Sequence, residues 1–225
     1  MTRATTKKTS ASSRNATPRP RDAERSKRLI LEAALEEFSE LGYAGARVDG
    51  IAERAGVSKP MIYSYFGDKD EVYAAALREA YVQIRAGERE LDLEGKSPDE
   101  AIRALVRFTL DHFVSQPWFI SMLNTENLRR GATVREIVDV GEIQSPLIAV
   151  LRGILERGAK EGVFREGIDA VDLYISIASL CYFPVSNAHT LRAVFKAPVD
   201  DVWLAKKAQD AEEMIISFLR RTDDA

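Results

Sequence analysis

One stretch of this 225-residue chain has side chains suited to close-range chemistry: Ser58, Lys59, Pro60, Met61, Tyr63, Ser64 and Tyr65, within SKPMIYSYF. Hydroxyls, an ammonium, a thioether and two phenols in so short a segment form a set for recognition. Tyr63 and Tyr65 can offer hydroxyls to phosphates and ring edges to bases. Pro60 and Met61 can meet thymine methyls, and Lys59 can reach guanine or phosphate. Ser58, Ser64 and the nearby Lys69 suit contacts to the sugar-phosphate backbone. Catalytic sets are weaker. His112 and His189 are the only histidines and Cys181 the only cysteine, so no His/Cys spacing for a metal exists. No phosphate-cradling glycine loop, nucleophile elbow or metalloprotease helix occurs. Acidic residues alternate with basic ones, as in Glu156-Arg157 and Glu88-Arg89-Glu90, which reads as solvated helix faces. The expectation is a binding protein with no cofactor and no enzymatic role.

The elements that must present this set are two short helices and a turn. Ile51, Ala52 and Ala55 give the first an apolar face. Gly56 supplies the turn, and Val57, Ile62 and Phe66 give the second a buried side. Ser58 stands where a cap belongs, and Pro60 falls in the first helical turn, where a missing N–H costs nothing. A short helix started this way docks into the DNA major groove by its N-terminal end. The run LILEAALEEFSELGYAGARVDGIAERAGVSKPMIYSYFGDKDEVY, residues 29 to 73, resembles the DNA-binding domain of TetR-family transcriptional regulators. That resemblance implies an all-α fold: a three-helix helix-turn-helix domain, then a helical domain for ligand binding and dimerisation. It also implies DNA contacts by Arg47, Val48, Lys69 and the recognition set. One residue departs from the family pattern. Arg47 stands where a Thr or Ser is usual, giving up a hydroxyl cap worth about 1 kcal/mol. Its alternatives are a phosphate or groove contact and a solvated charge.

Composition agrees with a globular chain: 45% apolar and 30% charged residues. A single cysteine fits a reducing cytoplasm, and the longest apolar stretch, near Tyr174 to Val185, is too short to span a bilayer. The expected location is cytoplasmic, at the nucleoid, without membrane association. Net charge is −3 but unevenly placed, since residues 1 to 28 carry +7 and the remaining 197 carry −10. Residues 1 to 21 contain no acid and read as a disordered basic arm. Such an arm can follow DNA phosphates, stay idle, or act as a targeting peptide, although it lacks the apolar face of the last. The expected domains are an arm at 1–22, the helix-turn-helix at 23–70 and a regulatory domain at 71–225.

Helical patterning continues to the end. Asp68 with Glu71 forms a capping box opening a linker helix over 68–90, and Ser97, Pro98 and Glu100 open another that runs to Gln116-Pro117. An aromatic-rich helix covers Trp118 to Leu128. Longer ones cover Val134 to Lys160 and Ala170 to Phe183, and a last one Val202 to Leu219. Asn187 and His189, after Pro184, fall in a loop or helix break. The helices near 170–183 and 202–219 are expected to form a four-helix homodimer interface, with completion of one monomer's core as the alternative. Candidate effector contacts are Tyr81, Phe108, His112, Trp118, Phe119, Met122, Tyr174 and Cys181, residue types that also fill ordinary cores. His112 could orient a polar group of a ligand or serve structurally. The polar cluster Asn124, Glu126, Asn127, Arg129 and Arg130 allows an amphipathic effector with a carboxylate or hydroxyl head, and a solvated helix end explains it equally well. Together these readings describe a ligand-responsive regulator on a near-palindromic operator. The alternative is a DNA-binding structural or partner-controlled protein without a small-molecule ligand.

Overall fold

The computed structural model describes residues 20–137 and 139–220. Most of the expected basic arm therefore lies outside the described residues. Its last three, 20–22, belong instead to the first helix, α1 (Pro20–Gly45). Then follow α2 (Val48–Ala55), α3 (Lys59–Phe66), α4 (Lys69–Arg89), α5 (Pro98–Ser115), α6 (Pro117–Leu128), α7 (Val140–Lys160), α8 (Ala170–Ser186), α9 (Ala188–Phe195) and α10 (Asp201–Leu219). Among the described residues the only β pairing is an isolated bridge between Phe164 and Arg220. The fold is all-α.

Local chemistry explains most boundaries. Helix α2 ends because Gly56 adopts the left-handed conformation (φ 65°), which lets the Gly56 and Val57 N–H groups turn back onto the Glu53 and Ala52 carbonyls. Helix α4 starts on a complete capping box: the Glu71 N–H donates to Asp68 Oδ1 (3.1 Å) and the Asp68 N–H to Glu71 Oε2 (2.8 Å). Ser97 and Glu100 do the same for α5.

Three expectations need correction. The segment from Val134 does not join α7. Glu126, buried on α6, accepts the Thr133 and Val134 N–H groups (2.7 and 3.0 Å) and holds the chain there as turns. Pro184 does not break α8, which continues to Ser186. Asn187 and His189 then stand at the start of a further helix, α9. Ser58 occupies the cap position of α3, but its hydroxyl makes no capping bond.

Helices α1 to α3 form a head whose core holds Ile30, Phe38, Ile51 and Ile62, all fully buried. Helix α4 leaves the head and packs on α7, while α5 packs on α8 and α10. Helix α6 lies against α1, so the two halves of the chain meet along two routes, α4 and the α6–α1 contact.

Candidate nucleic-acid interface and effector cavity

Arg47 gives α2 no side-chain cap, as its type requires. A distant residue compensates. Glu37 of α1, 4% exposed, accepts the Arg47 N–H (3.1 Å) on one oxygen and Arg54 Nε (2.9 Å) on the other. Its carboxylate thus sits at the α2 N-terminus, where the helix dipole favours negative charge. Gly50 makes room for it, because a Cβ there would lie 2.4 Å from Glu37 Oε1. The Arg47 side chain stays exposed, whereas Val48 is buried in the core, leaving only its backbone for a phosphate.

On α3, Tyr63 is 45% exposed, and Ser58, Pro60 and Ser64 are exposed. Met61 is half-buried. Lys59 holds an ion pair with Asp49 of α2 (2.9 Å), and the bond to that carboxylate raises its pKa. Tyr65 is less free than its spacing suggests: it packs on the core, with Lys27 of α1 6.0 Å from its ring centre. Lys69, first residue of α4, lies 4.6 Å from the Tyr43 ring centre. The α2–α3 surface thus presents hydroxyls, phenols and cations beside a short helix with its N-terminus open, a geometry able to contact phosphates and groove edges.

A cavity of about 560 Å³ opens between α4, α6 and α8. Of the eight candidates, Tyr81, Phe119 and Tyr174 line it. His112 packs against Phe119, their ring centres 5.2 Å apart, and Phe108 packs on His112 at 5.7 Å; neither lines the cavity. Burial lowers the His112 pKa, with Arg85 adding to the effect, so the ring is neutral. Trp118 stacks edge-on against Phe119 and does not line the cavity. Met122 is fully buried in the core. Cys181 is buried too, its Sγ donating to the Val106 carbonyl (3.6 Å) and its pKa pushed up to about 12 by burial. It is an inert thiol.

The sequence missed several wall residues: Arg85, Phe113, Leu123 and Tyr182. Asn127, from the polar cluster, does line the wall. Arg85 is the largest omission. It is 4% exposed, donates from Nη2 to the Tyr174 hydroxyl (2.7 Å), and sets Nη1 2.6 Å from Glu88 Oε2. Glu88, read as part of a solvated face, is 4% exposed, and burial holds its pKa up at about 7 against the pull of Arg85 and Arg89.

The exterior carries a second signal. Helix α8 buries Leu173, Ile177 and Cys181, while its opposite side leaves Val171, Ile175 and Phe183 exposed, the last at 57%. Helix α10 likewise exposes Met214 (57%) and Phe218 (49%). Each helix therefore fills the monomer core with one face and leaves an apolar face outward.

Similarity to known proteins converges on one family. A model described as "Bacterial regulatory proteins, tetR family" matches residues 30–76. Another, "Tetracyclin repressor-like, C-terminal domain", matches residues 98–218. The chain is 37% identical over 183 residues to the HTH-type transcriptional repressor NicS of Pseudomonas putida, covering 81% of this chain and 86% of that one. It is 30% identical over 165 residues to the repressor SCO4008 of Streptomyces coelicolor, covering 73% and 81%. Among solved structures, a FadR regulator from Bacillus subtilis in complex with stearoyl-CoA shares the fold with a TM-score of 0.67 at 22% identity, covering 86% of this chain and 99% of that one. With a helix-turn-helix head at 48–66 and a helical second unit, the chain belongs to the TetR family of DNA-binding transcriptional regulators.

Proposed function

We propose that this regulator is a repressor that holds a near-palindromic operator as a homodimer and is released by a small amphipathic or aromatic effector. The aromatic-walled cavity of about 560 Å³ carries this reading, because one of its walls, α6, also packs on α1 of the DNA-reading head. An effector that favours one position of α6 then favours one position of the head, the condition for coupling two sites. The apolar faces of α8 and α10 support pairing through these helices, residues 170–186 and 201–219. A two-fold dimer places its two α3 helices on half-sites one or more DNA turns apart. The two relatives of 30% identity or more that match over more than 70% of this chain bear the name repressor, whereas one named an activator matches over only 41%, which favours repression over activation. The proposed DNA-contacting residues are Arg47, Ser58, Lys59, Pro60, Met61, Tyr63, Ser64, Tyr65 and Lys69, with Val48 acting through its backbone. The proposed domain division keeps an arm ahead of the head and places the boundary between reader and regulatory unit near residue 70.

The test is fluorescence anisotropy of the protein with DNA upstream of its own gene, across a salt series and beside a scrambled duplex. Tight binding to one near-palindromic site, weakening steeply with salt, is the expected outcome. Equal weak binding to both duplexes would count against a local operator.

A further inference from the structure

Arg85 differs from every other group on the cavity wall. Its neighbours there are rings (Tyr81, Phe113, Phe119, Tyr174), aliphatic groups and neutral polar groups, so among the described lining residues Arg85 holds the only formal charge. It is 4% exposed, and its Nε finds no hydrogen-bond acceptor. Its one internal counter-charge, Glu88, sits on the far side, against a second and smaller cavity of about 210 Å³ that both residues also line. A guanidinium buried with an unused donor is an unfinished recognition site, since burying a charge without full hydrogen bonding is costly. An effector that supplies the missing acceptor recovers that cost on binding.

Resting on the cavity as the effector site, we propose that the effector is a carboxylate on a flat, unsaturated body, with the carboxylate held by Arg85 and the body between the rings of Phe119 and Tyr174. The planar guanidinium fork matches a carboxylate in two parallel bonds, which a neutral amide of the same shape cannot supply as strongly. Tyr174 shares in the contact, since its hydroxyl already accepts from Arg85 Nη2 and its ring lies 5.2 Å from the guanidinium carbon. Glu88 acts as the competitor. It competes for the charge of Arg85 from the Nη1 side, and when Glu88 is protonated that charge is left to the effector. The pKa of about 7 to which burial raises Glu88 makes that exchange easier, because the group is readily neutralised near neutral pH.

The experiment is calorimetric titration of the full-length protein with 2-naphthoate and with 2-naphthamide as matched probes. The expected result is an acid binding about tenfold to a hundredfold tighter than its amide, the range of a buried charge-assisted pair. Glu88→Gln removes the competitor and keeps the shape, so it raises the acid-to-amide ratio several-fold, an effect that a structural role for the pair would not produce. Arg85→Met brings the ratio to one. Because that change strands Glu88, the double variant Arg85→Met/Glu88→Leu serves beside it as an apolar replacement of the whole pair. Acid and amide binding equally to the native protein, or a preference that survives both Arg85 variants, would overturn the carboxylate assignment while leaving the effector cavity intact. Failure of both probes to bind at low millimolar concentration would overturn the assignment and the effector reading together.

Discussion

Glu37→Gln should loosen the DNA-reading head by about 2 kcal/mol. The native carboxylate accepts the half-buried Arg47 N–H at 3.1 Å and Arg54 Nε at 2.9 Å from a side chain that is itself 4% exposed. Glutamine preserves shape and one acceptor. Changing the bond to the Arg47 N–H from charged to neutral costs about 1 kcal/mol. The Arg54 pair is worth less than its geometry suggests: the guanidinium is one-third exposed and also bonds Glu40 at 2.5 Å, so a surface-pair value of about 0.5–1 kcal/mol applies. The amide also turns a donor towards Arg54 or Arg47, which adds to the loss. Urea unfolding followed by helical circular dichroism measures the change, and operator affinity should fall with it because α2 is held to α1 by this contact. In an Arg54→Met background the same substitution should still cost about 1 kcal/mol, the share of the Arg47 N–H. A loss under about 0.3 kcal/mol in both backgrounds would refute the claim that Glu37 anchors α2.

Lys69→Ala should weaken binding to every duplex and reduce the slope of log affinity against log salt by about one unit, as measured by anisotropy. An unchanged slope would remove Lys69 from the phosphate contacts. Glu88 has a pKa near 7 in the fold against 4.5 in the unfolded chain, so the folded state binds its proton more tightly and loses stability as pH rises through that window. Glu88→Gln should remove this pH dependence, so that its stability relative to the native protein rises by about 3 kcal/mol between pH 4.5 and pH 8 in urea unfolding, set against a constant loss from leaving buried Arg85 without its counter-charge; parallel curves would contradict the burial argument. Phe183→Glu with Met214→Glu should split the homodimer in sedimentation and lower operator affinity by orders of magnitude, since the second half-site contact is then no longer intramolecular. Arg129→Ala should leave naphthoate binding intact yet shrink its effect on operator affinity, abolishing a coupling of about 1–2 kcal/mol.

What the sequence made legible was local. Helix-turn-helix spacing, the capping boxes at Asp68 and Ser97, and the apolar runs of α8 and α10 are written in neighbouring residues, and each element formed where its signals stand. The missed features depend on partners far along the chain. Glu37 meets residues 10 and 17 positions away. Glu126 turns Thr133 and Val134 away from helix, which no periodicity announces. Glu88 looked like a member of a solvated charged face and Arg85 drew no reading at all, because helical spacing shows which residues share a face and not what that face packs against. The cavity candidates were chosen by type, and type alone cannot separate Phe119, on the wall, from Met122, one turn further and wholly in the core.

The meeting of α6 with the head gives the proposed release a physical route. Phe119, Leu123 and Asn127 on α6 face the cavity, and Arg129 follows them at its C-terminal end. The Arg129 guanidinium carbon lies 3.6 Å from the centre of the Tyr43 ring and 5.4 Å from that of Tyr73, while its Nη2 reaches Asp70 at 3.4 Å. Tyr43 in turn donates to Asp70 Oδ1 at 2.5 Å. One cation therefore joins the end of the cavity helix to the last turn of α1 and the first turn of α4, one residue from Lys69. Well-packed contacts of this kind do not stretch continuously. A displacement of α6 by an occupant of the cavity either carries Tyr43 and Asp70 along or breaks the stack. In both cases the head meets DNA from a different position relative to α8 and α10, and in a dimer a small change in the separation of two α3 helices is enough to deny the second half-site.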